Sequence, residues 1–123
     1  MIIYSEKVIE HFTHPKNAYE MTDADAWGTI GDSSCGDFLT MYIKVEDNCI
    51  KEISYLVFGC CASIATSSMT SVLAKGKTLD EALNIEEENI IEALDGLPEE
   101  KVHCSNLGVS ALRDAIKKYL SKK

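Results

Sequence analysis

Three of the five cysteines lie in short motifs whose residue types suit metal binding. The motifs are Ser34-Cys35-Gly36-Asp37, Phe58-Gly59-Cys60 and Val102-His103-Cys104-Ser105. A chain of 123 residues can fold as one domain small enough to bring them together. Thiolates, a carboxylate and an imidazole are good metal ligands in combination. The sequence therefore predicts one metal site built from Cys35, Asp37, Cys60, His103 and Cys104.

The predicted positions of these cysteines also bear on their reactivity. Cys35 lies in a predicted loop just before a strand, whereas Cys60 and Cys104 each precede a predicted helix. The start of a helix carries partial positive charge and free N–H groups, which lower the pKa of a nearby thiol. We therefore expect Cys60 and Cys104 to be reactive thiolates that bind metal or attack a sulfur donor.

A β hairpin is predicted upstream of Cys60. Alternating apolar residues at 39–45 indicate one half-buried strand, and Ile53, Tyr55 and Val57 indicate its partner. Glu46-Asp47-Asn48 provides the turn between them. A third strand is expected around Thr29–Gly31.

Helices account for most of the remaining pattern. The first runs from Ser5 to His14 and stops before Pro15, and the last runs from about Asn106 to Leu120. A third begins near Ala62 and ends at Gly76. Its predicted apolar stripe consists of Ile64, Ala65, Ser68, Met69, Val72 and Leu73. Two short helices lie between, one opened by the capping box Thr78-Leu79-Asp80-Glu81 and one around Ile90, Ile91 and Leu94.

Strands followed by helices predict an α+β fold, with a small antiparallel sheet and helices packed on one face. No repeat or linker divides the sequence, so we expect residues 1–123 to form a single domain. The charge of −8 argues against a nucleic-acid partner. Neither a membrane span nor a secretory signal is recognisable, which predicts a cytoplasmic protein with reduced thiols.

The other cysteines and histidines invite simpler interpretations. Cys49, beside the hairpin turn, is expected to be a small buried residue. Cys61 is interpreted as buried filler, although it adjoins Cys60. His11 and His14 are assigned to the surface or the core. His103 differs, because it would place an imidazole beside the thiolate of Cys104.

Taken together, the motifs resemble the iron–sulfur cluster assembly scaffold family of the IscU and NifU N-terminal type. The resemblance covers nearly the whole chain. It rests on several motifs in the same order: Tyr4-Ser5-Glu6-Lys7-Val8, His14-Pro15-Lys16-Asn17, Cys35-Gly36-Asp37, Phe58-Gly59-Cys60, Ile64-Ala65-Thr66-Ser67-Ser68, Lys75-Gly76-Lys77-Thr78-Leu79-Asp80-Glu81-Ala82, Leu97-Pro98 and Lys101-Val102-His103-Cys104-Ser105.

This resemblance implies a fold and a function. The fold is a three-stranded antiparallel sheet with helices on one face, as in IscU and SufE-like proteins. The function is that of a non-enzymatic scaffold, on which Cys35, Cys60 and Cys104 hold a transient [2Fe–2S] cluster while Asp37 and His103 complete or modulate the site. Zinc is often found in the same site.

The resemblance also implies a set of partners. Cys104 would accept persulfide sulfur from a cysteine desulfurase of the IscS or NifS type. An electron donor such as ferredoxin and apo-proteins that accept the finished cluster complete the set. Whether a homodimer shares the cluster stays open.

Two departures from the family pattern affect these implications. The family usually has Gly after the central cysteine, where this chain has Cys61, so a fourth thiol lies near the site. Many members carry Leu-Pro-Pro-Val-Lys where this chain has Leu97-Pro98-Glu99-Glu100-Lys101. Since an Hsp70-type chaperone reads that segment, the substitution argues against this partnership and favours the NifU branch.

Two other functions fit the same residues. A zinc-bound sulfur acceptor for a desulfurase would use this ligand set without ever holding a cluster. A thiol redox enzyme would use the adjacent pair Cys60 and Cys61, although such enzymes usually have Cys-x-x-Cys and adjacent cysteines form strained bridges.

Overall fold

The computed structural model describes residues 4–32 and 37–122, apart from the side chains of Asp32, Glu100 and His103. Within these ranges the fold is α+β, with a three-stranded antiparallel sheet in the order β1-β2-β3. The strands are β1 (Ala26–Asp32), β2 (Asp37–Glu46) and β3 (Cys49–Phe58). The helices are α1 (Glu6–Thr13), α2 (Cys61–Ala74), α3 (Leu79–Leu83), α4 (Glu87–Ala93), a 3₁₀ helix (Glu99–Cys104) and α5 (Ser105–Lys122). The predicted fold class is confirmed.

The β2–β3 hairpin closes through the two residues between the strands. Asp47 and Asn48 both have positive φ, 55° and 63°. Two consecutive left-handed residues match the right-handed twist of a tight hairpin, and Asp and Asn tolerate this conformation. The turn pairs Glu46 with Cys49, and a bulge between the pairs Val45–Ile50 and Lys44–Glu52 then shifts the register by one residue, so that Phe38 pairs with Phe58 at the far end. Asp37 is consequently a strand residue that lies beside the chain leading to Cys60.

One face of the sheet is buried by helices and the other is largely open. Leu39, Met41 and Ile43 are fully buried, whereas Trp27, Phe38, Leu56 and Phe58 are exposed. Helix α5 crosses β1 so closely that a Cβ on Gly28 would lie 2.4 Å from the carbonyl oxygen of Ala111. Only glycine allows this approach of helix backbone to strand.

Most helix boundaries agree with the sequence prediction. Ser5 caps α1 by accepting a hydrogen bond from the backbone N–H of Val8, and His14 ends the helix. Thr78 and Glu81 form the predicted capping box of α3. The third strand is longer than predicted, since it begins at Ala26 and reaches Asp32.

The predicted apolar stripe of α2 is wrong in part. Val72 is exposed, while Thr66, Ser67, Thr70 and Ser71 are fully buried. These buried hydroxyls donate to backbone carbonyls three or four residues earlier in the same helix. A hydroxyl that is satisfied within its own helix can be buried at little cost, so polarity does not mark the exposed face here.

Candidate metal centre

Three of the five predicted ligands come together where β2 begins and two helical segments meet. Asp37 is the first residue of β2, Cys60 is the N-cap of α2, and Cys104 ends the 3₁₀ helix that leads into α5. One ligand atom from each lies within 4.8 Å of the other two. The two sulfur atoms are 3.9 Å apart and are not bonded as a disulfide. Two thiols and a carboxylate at these separations can bind a single metal ion after small adjustments.

The two remaining predicted ligands cannot be placed. Cys35 lies outside the described residues, and the side chain of His103 is not described. The backbone of His103 precedes Cys104 in the 3₁₀ helix. Asp37 follows Cys35 by two residues in the sequence. Their roles as ligands therefore stay predictions.

Gly59 leaves the space that the Asp37 carboxylate occupies. A Cβ at Gly59 would lie 2.7 Å from Oδ1 of Asp37 and 3.0 Å from Cβ of Ser63. The first distance is shorter than real Cβ contacts and the second is at their lower limit, so any side chain would displace the carboxylate. The Phe-Gly-Cys motif therefore matters through its glycine as well as its cysteine.

Cys60 has the properties expected of a thiolate ligand. It is half-buried, with its sulfur 3.5 Å from the Ser63 hydroxyl. Burial acts to raise the pKa of Cys60, but hydrogen bonds from the backbone N–H groups of Ala62 and Ser63 at the start of α2 and from the Cys104 thiol outweigh it and hold the pKa below that of an ordinary thiol. The sequence prediction of a reactive thiolate is supported for this residue.

Cys104 is different, and the prediction that it is an exposed, reactive thiolate is wrong for this conformation. Its side chain is only 2% exposed. Burial raises the pKa of Cys104 to about 11, and the nearby charge of Cys60 adds to the effect. Of the pair, Cys60 loses its proton first, and the Cys104 thiol then donates to the Cys60 sulfur. Cys104 does lie at the start of a helix, as predicted, but nothing in the sequence indicated that its side chain would be buried.

Lys101 is a residue near the site whose role the sequence analysis missed. Its Nζ lies 4.0 Å from the Cys60 sulfur. The negative charge of Cys60 raises the pKa of Lys101, which places a cation beside an anionic site. The position of Lys101 three residues before Cys104 was the available signal.

The other cysteines and histidines lie apart from this group. Within the part of the chain that the structure describes, Cys61 does not belong to the ligand cluster. It packs against the core, and burial raises the pKa of its thiol. Cys49 begins β3, at the end of that strand opposite to Cys60. His11 is buried with Nδ1 2.6 Å from the hydroxyl of Ser68, whereas His14 is exposed, so both assignments to core or surface are confirmed.

Comparison with known proteins agrees with this architecture. The family model of the NifU-like N terminal domain matches residues 3–123. The chain belongs to this family.

Its curated relatives match over almost the whole chain. "Iron-sulfur cluster assembly scaffold protein IscU 1" of Archaeoglobus fulgidus is 53% identical over 120 residues, which are 98% of this chain and 78% of that protein. The IscU scaffold protein of Aquifex aeolicus is 44% identical over 121 residues, and the alignment covers 97% of this chain and 77% of that protein. "Nitrogen fixation protein NifU" of Azotobacter chroococcum is 44% identical, with 94% of this chain but only 38% of that longer protein.

Solved structures show the same fold. The N-terminal part of a NifU-like protein from Brucella abortus gives a TM-score of 0.75 at 20% identity, covering 96% of this chain and 94% of that one. An iron–sulfur scaffold of the SUF system from Fervidobacterium islandicum gives 0.75 at 24% identity, covering 92% and 96%. At these identities the likeness concerns the fold alone.

Proposed function

We propose that this member of the NifU-like N-terminal family is a non-enzymatic scaffold that assembles a [2Fe–2S] cluster and passes it to apo-proteins. The observation that carries the proposal is the cluster of Asp37, Cys60 and Cys104, whose ligand atoms lie within 4.8 Å of one another. Relatives at 44–53% identity are named iron–sulfur cluster assembly scaffolds. Cys35 supplies the third thiolate in this proposal, and His103 completes or modulates the site.

The mixed ligand set gives a physical reason for release. Iron–sulfur units are soft and are held durably by four thiolates. A carboxylate is a harder ligand, which weakens the grip on such a unit. Asp37 also carries negative charge into a site that already contains thiolates. A cluster held in this way forms but leaves readily when an acceptor offers four cysteines.

Sulfur delivery places a requirement on Cys104. The proposed sulfur acceptor must attack a persulfide on a cysteine desulfurase as a thiolate, but in the free protein its thiol is buried and protonated. Docking of the desulfurase must therefore uncover this thiol and remove its proton. The sulfur that arrives is at the zero oxidation level, so two electrons per atom, from a donor such as ferredoxin, reduce it to sulfide.

A zinc-bound sulfur acceptor is the second candidate function. Zinc takes tetrahedral sulfur, nitrogen and oxygen ligands, which the same residues supply. Anaerobic incubation with iron, cysteine, a desulfurase and an electron donor separates the two candidates. The scaffold proposal expects visible sulfide-to-iron charge-transfer bands, which weaken in Cys60→Ser. A protein that gains sulfur and retains zinc without developing these bands would favour the zinc-bound acceptor.

The thiol redox enzyme gains no support from the geometry. Cys60 approaches Cys104 rather than pairing with Cys61, and none of these three cysteines is in a disulfide. No helix in residues 4–32 and 37–122 has the length and hydropathy that crossing a bilayer requires. A cytoplasmic location and the absence of an Hsp70-type partner remain part of the proposal.

A further inference from the structure

Ser63 connects the ligands of the candidate metal centre. It is the third residue of α2, and its side chain is fully buried. Its hydroxyl donates to Oδ2 of Asp37 at 2.7 Å and lies 3.5 Å from the Cys60 sulfur. One side chain therefore contacts both the carboxylate of Asp37 and the sulfur of Cys60.

The hydrogen bond of Ser63 differs from those of four other buried hydroxyls along α2, and it also differs from that of Ser68, which bonds with the ring of His11 on α1. Thr66, Ser67, Thr70 and Ser71 donate to carbonyls of their own helix. Ser63 instead donates to a carboxylate on β2, 26 residues earlier in the chain. A hydroxyl has one proton, and a short bond to a charged oxygen is stronger than a long contact with sulfur. The proton therefore serves Asp37.

A second observation defines the position of the carboxylate. The space above Gly59 is filled by Oδ1 of Asp37, while Oδ2 is held by Ser63. The carboxylate is thus confined between the backbone at Gly59 and the hydroxyl on α2. Confinement of this kind orients a ligand before metal binds. Loss of a group that supports a ligand typically lowers metal affinity by about 10- to 100-fold.

We propose that Ser63 is a positioning residue that holds the Asp37 carboxylate in its metal-binding orientation and so couples the start of α2 to the oxygen ligand. This inference rests on the proposed function, because it assumes that Asp37 binds metal. Ser63 itself acts through Asp37. It adds a determinant of metal affinity that lies outside the ligand set.

The test measures Co²⁺ binding to the metal-free, reduced protein. Thiolate-to-cobalt charge-transfer bands report binding, and competition with a chelator gives Kd. We expect Ser63→Ala to raise Kd about 10- to 100-fold and to alter the d–d bands, because the oxygen ligand is disordered. Ser67→Ala is the matched control, since Ser67 is equally buried on α2 but donates to a backbone carbonyl. It should bind Co²⁺ like the wild type.

The double variant identifies the route of the effect. In an Asp37→Ala background, Ser63→Ala should change Kd by less than about threefold, because the carboxylate that it positions is gone. Ser63→Thr keeps the hydroxyl, and Ser63→Val gives a side chain of nearly the same shape as threonine but without the hydroxyl. This pair carries the test if circular dichroism shows that Ser63→Ala loses helix content, and the Thr variant should then bind at least tenfold more tightly than the Val variant.

The possible outcomes distinguish failure of the proposed metal site from failure of the proposed role of Ser63. If wild-type protein shows no thiolate-to-cobalt bands, the metal site and the proposed function both fail. If the wild type binds but Ser63→Ala and Ser63→Val match it, the positioning role alone is refuted. An equal loss in wild-type and Asp37→Ala backgrounds would also refute it, because Ser63 would then act through something other than Asp37.

Discussion

The two described cysteines of the centre should differ strongly in reactivity in the metal-free protein. The pKa of Cys60 is lowered, chiefly by hydrogen bonds at the start of α2 that outweigh burial, whereas burial raises the pKa of Cys104 to about 11. The ordinary thiol value is 9.0, so Cys104 lies about two units higher. Each unit is a tenfold change in thiolate, which leaves Cys104 with about 100-fold less thiolate than an ordinary cysteine at neutral pH.

The greater intrinsic nucleophilicity of a thiolate with a higher pKa offsets part of this difference in reactivity. Thiolates of higher pKa attack faster, and a Brønsted slope of about 0.4–0.5 over two units restores roughly six- to tenfold. The net reactivity of Cys104 is then at least about tenfold below that of Cys60. Burial adds to the difference, because only 2% of Cys104 is exposed to the reagent.

Alkylation with iodoacetamide measures the difference directly. Peptide mass spectrometry of zinc-free, reduced protein follows each cysteine over time, and fragment ions distinguish Cys60 from Cys61. The rate at Cys60 should level off at a lower pH than the rate at an ordinary thiol, whereas the rate at Cys104 should still rise towards pH 11, since only the thiolate reacts. In denaturant the two rates should converge. Equal rates in the native protein at pH 7.5 would refute the assignment of the proton to Cys104.

Three further predictions concern release, sulfur acceptance and folding. Asp37→Ala should lengthen the lifetime of a bound cluster and slow its transfer, measured as decay of visible absorption with an apo-ferredoxin acceptor. Faster decay than in the wild type would instead indicate that Asp37 only supports the local backbone. Since cluster lifetime is a kinetic quantity, a longer lifetime in Asp37→Ala is compatible with a weaker equilibrium affinity of this variant for Co²⁺. Cys104→Ser should abolish the gain of sulfur from a desulfurase and cysteine, measured by mass spectrometry, and an unchanged gain at another cysteine would contradict the assignment. Gly28→Ala should lower the free energy of unfolding in urea by about 1–3 kcal/mol, since its Cβ would lie 2.4 Å from the backbone of α5. In the control Gly31→Ala the nearest atom is in the ring of half-exposed Phe38 at 3.1 Å, and the loss should be less than about 0.5 kcal/mol. Similar losses in both variants would mean that the α5 contact does not decide the result.

Local patterns in the sequence predicted much of the fold. The alternation along β2 and the β-branched and aromatic residues of β3 predicted the hairpin, and the capping box of α3 appears where its sequence motif lies. The buried face of α2 was less predictable. Four of its buried hydroxyls donate to carbonyls inside the helix, and a hydropathy pattern does not show that such groups are satisfied.

The meeting of three predicted ligands was predictable, but their surroundings were not. Asp37, Cys60 and Cys104 were expected to meet and do so. The burial of Cys104 depends on how the 3₁₀ helix packs, and the bond from Ser63 to Asp37 joins residues on different elements. Neither leaves a local pattern, because each arises from long-range packing.

Mössbauer spectroscopy of protein reconstituted anaerobically with ⁵⁷Fe, cysteine, a desulfurase and an electron donor tests the scaffold proposal most directly. The account predicts the spectrum of a [2Fe–2S] cluster on the wild type, its loss in Cys60→Ser, and its appearance on an added apo-ferredoxin in proportion to its disappearance from the scaffold. Iron that remains as mononuclear or adventitious species, or a cluster that never leaves for the acceptor, would contradict the account.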